Sequence, residues 1–245
     1  MGLFDRFRGS GAARAKANPA AKWSDRIERR AQNYDRQEAI QALSELGTAD
    51  AVDLLLRRFT FQMDPSITDQ EEKESAFRGI LRAGALAIEP VRAFAARAES
   101  LAWPMKIMKE LLPEEAYVDE LLRWLSRWDT EYSKFADPKV QILVALEEHK
   151  SPLIREQVER FLQDVNETAR FHAISTLLAQ DDAASAGPLA SLLATEESVR
   201  IRNRIADGLA SRGWSVPAEV VESVRRALPN VYTVDAAGHV RRRQP

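Results

Sequence analysis

The sequence contains no cysteine. That removes disulfides, iron–sulfur clusters and thiolate zinc, and it accords with a cytoplasmic address. Histidine is nearly as scarce: His149, His172 and His239 are the three present and stand far apart, so no histidine-rich metal cluster is expected. With 10 Gly and 11 Pro in 245 residues, chain breakers fall below the usual share of ~12%. No apolar run approaches the ~18 residues of a membrane span. The start, MGLFDRFRGSGAARAK, lacks the continuous apolar core of a secretory signal, and we expect a protein that is not exported. Motifs of catalysis are missing as well. There is no GxGxxG, P-loop, HExxH, GxSxG or EF-hand loop. Neither an enzyme nor a bound cofactor or metal is expected.

What is abundant is helix-forming sequence. Alanine (37) and leucine (25) make up a quarter of the chain, which is 45% hydrophobic and 29% charged. Net charge is −2 but unevenly spread: residues 1–22 and 225–245 carry +4 each, which leaves −10 for the residues between them. A duplex-binding body is basic over a broad face. The acidic body here speaks against nucleic acid as a partner.

Residues 8–22, RGSGAARAKANPAAK, read as a linker, and 1–22 as a flexible basic segment. Leu3, Phe4 and Phe7 beside Arg6 and Arg8 leave open a peripheral contact with an anionic membrane or a partner groove. From Trp23 the pattern is helical with few interruptions. The spacing predicts helices at 34–46, 50–60, 69–83, 86–98, 103–112, 114–129, 138–148, 152–163, 167–179, 183–194, 198–212 and 217–227, with Gly47, Gly84, Gly213 and several prolines as punctuation. Pro90 and Pro188 fall a turn into their helices and are expected to shift or kink those starts. After Pro229 the pattern changes to VYTV and HVRR around Asp235-Ala-Ala-Gly238, a predicted hairpin over 229–245 that packs Tyr232, Val234 and Val240 on the last helices.

The helices repeat in pairs. AIQALSELG (39–47), AFRGILRAG (76–84), VQILVALEEH (140–149), AISTLLAQ (173–180) and RIADGLASRG (204–213) share one outline, with the shorter MKIMKELL (105–112) between them. Equivalent ends are spaced by about 37, 28, 37, 31 and 33 residues, in the range of two-helix repeat arrays. A basic residue opens the first helix (Arg36, Lys73, Lys139, Arg170, Arg202), followed by small and apolar positions three and seven residues on. Second helices follow an Asp or tight turn, as in Asp50-Ala-Val-Asp-Leu-Leu-Leu and Asp182-Ala-Ala-Ser-Ala-Gly-Pro-Leu. Over roughly 30–227 the chain resembles HEAT-repeat proteins, close to the short HEAT-like repeats of bacterial phycobilin lyases. The resemblance implies an all-α fold: an α-solenoid of five to six helix pairs over 23–228, closed by the small β-hairpin.

The repeat architecture, the acidic body and the missing catalytic motifs together lead us to expect a non-enzymatic scaffold that binds another protein. Two alternatives come with the resemblance. One is a HEAT-like DNA-repair glycosylase, for which Trp128-Asp129 is the nearest echo of an aromatic–Asp pair. The other is a chaperone for a bilin chromophore.

Two surface patterns are candidates for partner contact. The second helices carry a row of arginines: Arg57, Arg58, Arg92, Arg97, Arg123, Arg127, Arg155 and Arg160. The resemblance implies that this row faces a concave surface. Local pairing (Asp53–Arg57, Glu89–Arg92, Asp119–Arg123, Glu156–Arg160) explains the same spacing. Tyr117, Trp124, Trp128 and Tyr132 form an aromatic strip that reads either as core or as a partner surface. Their overlap selects Arg123, Trp124, Arg127 and Trp128 as the candidate partner-binding residues. The blander readings are helix-start roles for Glu71/Glu72 and Glu114/Glu115, an N-cap for Asn166, and a core or boundary position for His172.

Overall fold

Proline and glycine punctuate the chain much as their chemistry demands. A computed structural model describes residues 18–243, which hold twelve α-helices and a two-stranded antiparallel sheet. Two compact units meet in sequence at Ala87 and Ile88, a division the repeat pattern does not mark. Leu3, Phe4, Phe7 and most of the basic segment 1–22 lie outside the described residues. The last part of that segment is folded: Ala20 is wholly buried, its N–H held by Asn18 Oδ1 at 2.9 Å.

The first unit contains α1 (Asn33–Leu46), α2 (Ala49–Leu56) and α3 (Ser66–Arg82). Gly47 ends α1 in the left-handed conformation (φ 57°), and the Thr48 hydroxyl accepts from Ala51 N to start α2. Helices α1 and α3 pack together closely at Gly79. A Cβ there would stand 2.0 Å from Ser44 Oγ.

The second unit runs through α4 (Ile88–Ala95), α5 (Ala102–Leu111), α6 (Glu114–Leu125), α7 (Asp137–Leu146), α8 (Pro152–Val158), α9 (Glu167–Gln180), α10 (Ala186–Thr195), α11 (Val199–Arg212) and α12 (Val221–Ala227). Pro90 and Pro188 each stand in a first turn, preceded by 3-10 turns at Gly84–Ala87 and Ala183–Ser185. The prolines have shifted the α-helix starts to positions where a missing N–H costs nothing. Helices α7, α9 and α11 pack side by side. The 3-10 extension of α8 (Glu159–Gln163) packs on α10, and α10 packs on α12, as a second row. Strands β1 (Tyr232–Val234) and β2 (Val240–Arg242) pair antiparallel, with Gly238 at φ 83° in the turn. Tyr232, Val234 and Val240 are buried, and β1 packs on α12 and β2 on α11. Arg241 and the backbone N–H of His239 hold the Asp235 carboxyl down to about 2, fixing the turn.

A repeated ionic register ties the second unit together. Two residues before the α9 cap, Asp164 accepts from Asn166 N (2.8 Å); Asn166 accepts from Ala169 N (3.0 Å), and Arg170 follows. Before α11, Glu196 accepts from Ser198 N (2.9 Å), Ser198 accepts from Ile201 N (3.4 Å), and Arg202 follows. Each base bonds to a group 25 or 26 residues ahead. Lys139 pairs with Asp164, both buried; Arg170 grips Glu196 with two bonds of 2.9 and 3.1 Å; Arg202 donates to Ala227 O at 3.5 Å. Burial alone would raise the Glu196 carboxyl, but the bonds from Arg170 and Ser198 outweigh it and hold the group below its usual range.

In the first unit the corresponding base enters a denser cluster. Arg36 donates two bonds of 3.0 Å to Glu72, Arg58 reaches Glu72 at 2.6 Å and Asp69 at 2.7 Å, and Lys73 reaches Asp69 at 2.6 Å. Arg36, Arg58 and Glu72 are all at least 98% buried, by relative exposures of 2%, 0% and 2%. Two sequence expectations are corrected here. Glu72 is not at a helix start, because α3 begins at Ser66 and places it two turns in. Arg58 is not in a surface row.

Replacing Glu72 with Gln keeps the volume, leaves buried Arg36 without a carboxylate and leaves Arg58 with Asp69 alone. The first unit should lose about 3–5 kcal/mol in urea unfolding. The acid limb is a second test. The Glu196 pKa is depressed by folding, so its stabilisation is complete above the ordinary carboxyl value of 4.5 and is lost as pH falls through the lower folded value. The urea midpoint of Glu196→Gln should therefore change less than that of the native chain below about pH 5.

Candidate functional site

The C-terminal end of α6 and two loops enclose a groove of about 410 Å³ within the second unit. Its floor is Trp124, 4% exposed, with Leu101 and Pro138 also buried. Trp128, half-buried, and Phe135, 45% exposed, form its aromatic wall. Arg97, Arg127 and Lys134 are exposed along it, against the single carboxylate of Glu99.

Local chemistry places these groups. The α-helix stops at Leu125, and Arg127 N and Trp128 N close shorter turns onto Trp124 O (3.3 Å) and Leu125 O (3.0 Å). The chain then leaves helical geometry: Asp129 Oδ1 accepts from Glu131 N (3.1 Å), and Ser133 Oγ donates to Phe135 O (3.1 Å). Trp128 and Tyr132 consequently do not continue the helical face of Tyr117 and Trp124. Tyr132 is 83% exposed, whereas Tyr117 is buried edge-on to His149 with ring centroids 5.7 Å apart. Burial first, then the charge of Glu148, pushes the Tyr117 hydroxyl up to about 12. The predicted aromatic strip is thus two sets, one in the core and one on a loop.

Of the four candidate residues, three line the groove: Trp124, Arg127 and Trp128. Arg123 is exposed nearby on α6 and lies 3.8 Å from Glu120. Arg127 Nη2 reaches only Ala96 O, at 3.5 Å. The local pairing expected for the arginine row holds for Glu89–Arg92 (2.5 Å). Partners beyond the expected pairs also appear: Arg92 grips buried Glu120, Arg57 meets Glu28, Arg155 meets Glu159 and Asp182, and Arg160 donates to Leu125 O. The sequence reading missed Arg97, Lys134 and Phe135 as parts of one groove. They sit in loops flanking different helices, and no periodicity links such positions.

A second, larger groove of about 750 Å³ runs between α1 and α3 in the first unit. It is lined by Gln37, Gln41, Gln70, Arg78 and Arg82 among others, and contains no aromatic side chain. Several of its polar groups bond each other or neighbours, as Gln41 does Glu45 and Arg78 does Ser75.

Nothing in the aromatic groove forms a nucleophile–base pair. Asp129, the carboxylate nearest in sequence to Trp128, is held by its own turn, and its carbonyl accepts from Lys139 at 3.1 Å. His172 is half-buried, the boundary position expected, and bonds Glu147 at 2.8 Å; Asn166 caps α9 as expected. Among the described residues no group of three His, Asp or Glu is placed to hold a metal ion, and no helix is long and apolar enough to cross a membrane. The chain matches no protein-family model, and no curated protein is significantly similar to it.

The burial of the two tryptophans separates their roles. Trp124→Ala should cost about 3–5 kcal/mol in chemical denaturation, as a large-to-small core change does. Trp128→Ala should cost about 1 kcal/mol and leave the far-ultraviolet circular dichroism unchanged.

Proposed function

We propose that the protein is a non-enzymatic interaction module built on HEAT-like helix pairs, and that it binds another protein through the groove at the end of α6. The groove itself carries this reading. It sets accessible Trp128 and Phe135 beside free cationic side chains, over a floor fixed by buried Trp124. Aromatic and arginine side chains bury large areas at low entropic cost and dominate interface energetics. A rigid floor spares the interface the cost of ordering itself on binding.

The HEAT-like part of the proposal is supported by the ionic register of α7, α9 and α11. The same acid and cap precede α9 and α11, and all three helices carry a base bonded 25 or 26 residues ahead. The side-by-side packing of α7, α9 and α11 is what a stack of repeats requires. The glycosylase alternative receives no support from Asp129, whose carboxylate is occupied by its own loop.

The test compares proteins that co-purify from the native cell with the intact chain and with a Trp128→Ala, Phe135→Ala double variant. A specific partner should be retained by the first and lost from the second, while both show the same helical spectrum and melting profile. Equal recovery on both would overturn the proposal.

A further inference from the structure

We infer that the occupant of this groove is an acidic segment of the partner protein, with carboxylates on Arg97, Arg127 and Lys134 and an apolar side chain against Trp128 and Phe135. The inference rests on the interaction reading above and adds the chemistry of the partner. It is argued from charge. Four cations elsewhere in the second unit are held by acids: Arg92 by Glu89 and Glu120, Arg155 by Glu159 and Asp182, Arg170 by Glu196, Lys139 by Asp164. In the groove, Arg127 has one long bond to a carbonyl and Lys134 rests 5.1 Å from the Phe135 ring centroid. Arg97 makes no side-chain hydrogen bond or ion pair among the described residues. Three cations therefore face one carboxylate, in a chain whose residues between 22 and 225 carry −10.

Such a place on an acidic protein is complementary to an anion of limited length. A guanidinium offers a carboxylate two parallel bonds, and the aromatic wall takes up the neighbouring side chain. A polynucleotide fits less well. Its charge repeats along its whole length, and beyond the groove it would meet exposed Asp129 and Glu131 on the same loop. A segment with two or three carboxylates ends before it reaches them.

The experiment pans a phage library of random dodecapeptides against the full chain. Enriched peptides should carry two or more Asp or Glu beside an aromatic residue or leucine. A synthetic copy should bind at least about tenfold more weakly to the Arg127→Glu, Lys134→Glu variant. It should also weaken as salt rises. Arg225→Glu with Arg226→Glu, the same charge change on α12, should leave binding unaltered. Neutral or basic consensus sequences, equal enrichment on the groove variant, no enrichment, or displacement of the peptide by an oligothymidylate that itself binds through Arg127 would each overturn the inference. Neutral peptides that still need Trp128 and Phe135 would remove only the acidic preference and leave the binding groove. Peptides that need no groove residue would remove both.

Discussion

A cation taken out of water must be met by an acid at hydrogen-bond distance, and this requirement organises the protein. Lys139, Arg36 and Arg58 are among its largest fully buried side chains. Each is tolerable only because a carboxylate from another part of the chain is brought to it: Asp164 for Lys139, Glu72 for both arginines. The same carboxylates hold helix starts. Asp164 and Glu196 accept from the backbone N–H of the cap residue while they bind a base, so one side chain satisfies a helix terminus and a buried charge together. Apolar packing provides most of the stabilisation, but it does not by itself say which helix lies against which. The ion pairs do, since a slip of one turn would strand a charge.

The helices were legible because their ends are written in local chemistry. Gly47 and Gly213 take the left-handed conformation at helix C-termini, Ser151 and Asn166 cap the helices after them, and Pro152 opens α8. These are decisions made within a few residues, and a sequence displays them. The hairpin was readable for the same reason, through Asp235 and Gly238. Charge partners were not. Arg58 and Glu72 are 14 residues apart, and spacing gives no sign that both point inward. Glu120 was passed over in favour of Asp119, although it is the buried acid that Arg92 grips from 28 residues away.

The groove shows the same limit in another form. Helical periodicity carried correctly through Trp124 and then overran, because α6 ends at Leu125. The tightened end of that helix, where the N–H groups of Arg127 and Trp128 bond three residues back, gives no unique signature in Ser126-Arg127-Trp128. Arg97 and Phe135, 38 positions apart in the sequence, meet around the groove only because α5 and α6 fold between them.

The distance from each base to its acceptor has a consequence for how this chain can change. Lys139 reaches Asp164, Arg170 reaches Glu196 and Arg202 reaches Ala227 across 25, 26 and 25 positions. That interval works as a ruler. Insertions or deletions between a base and its acceptor alter the ruled length and pull a buried charge off its counterpart. Residues 126–136 lie ahead of the first ruled interval, yet Lys139 also reaches back to Asp129 O at 3.1 Å and Val165 N bonds Thr130 O at 3.0 Å. The loop that builds the groove wall is thus pinned at its start to the same frame, and a change of its length there is felt at Lys139 as well.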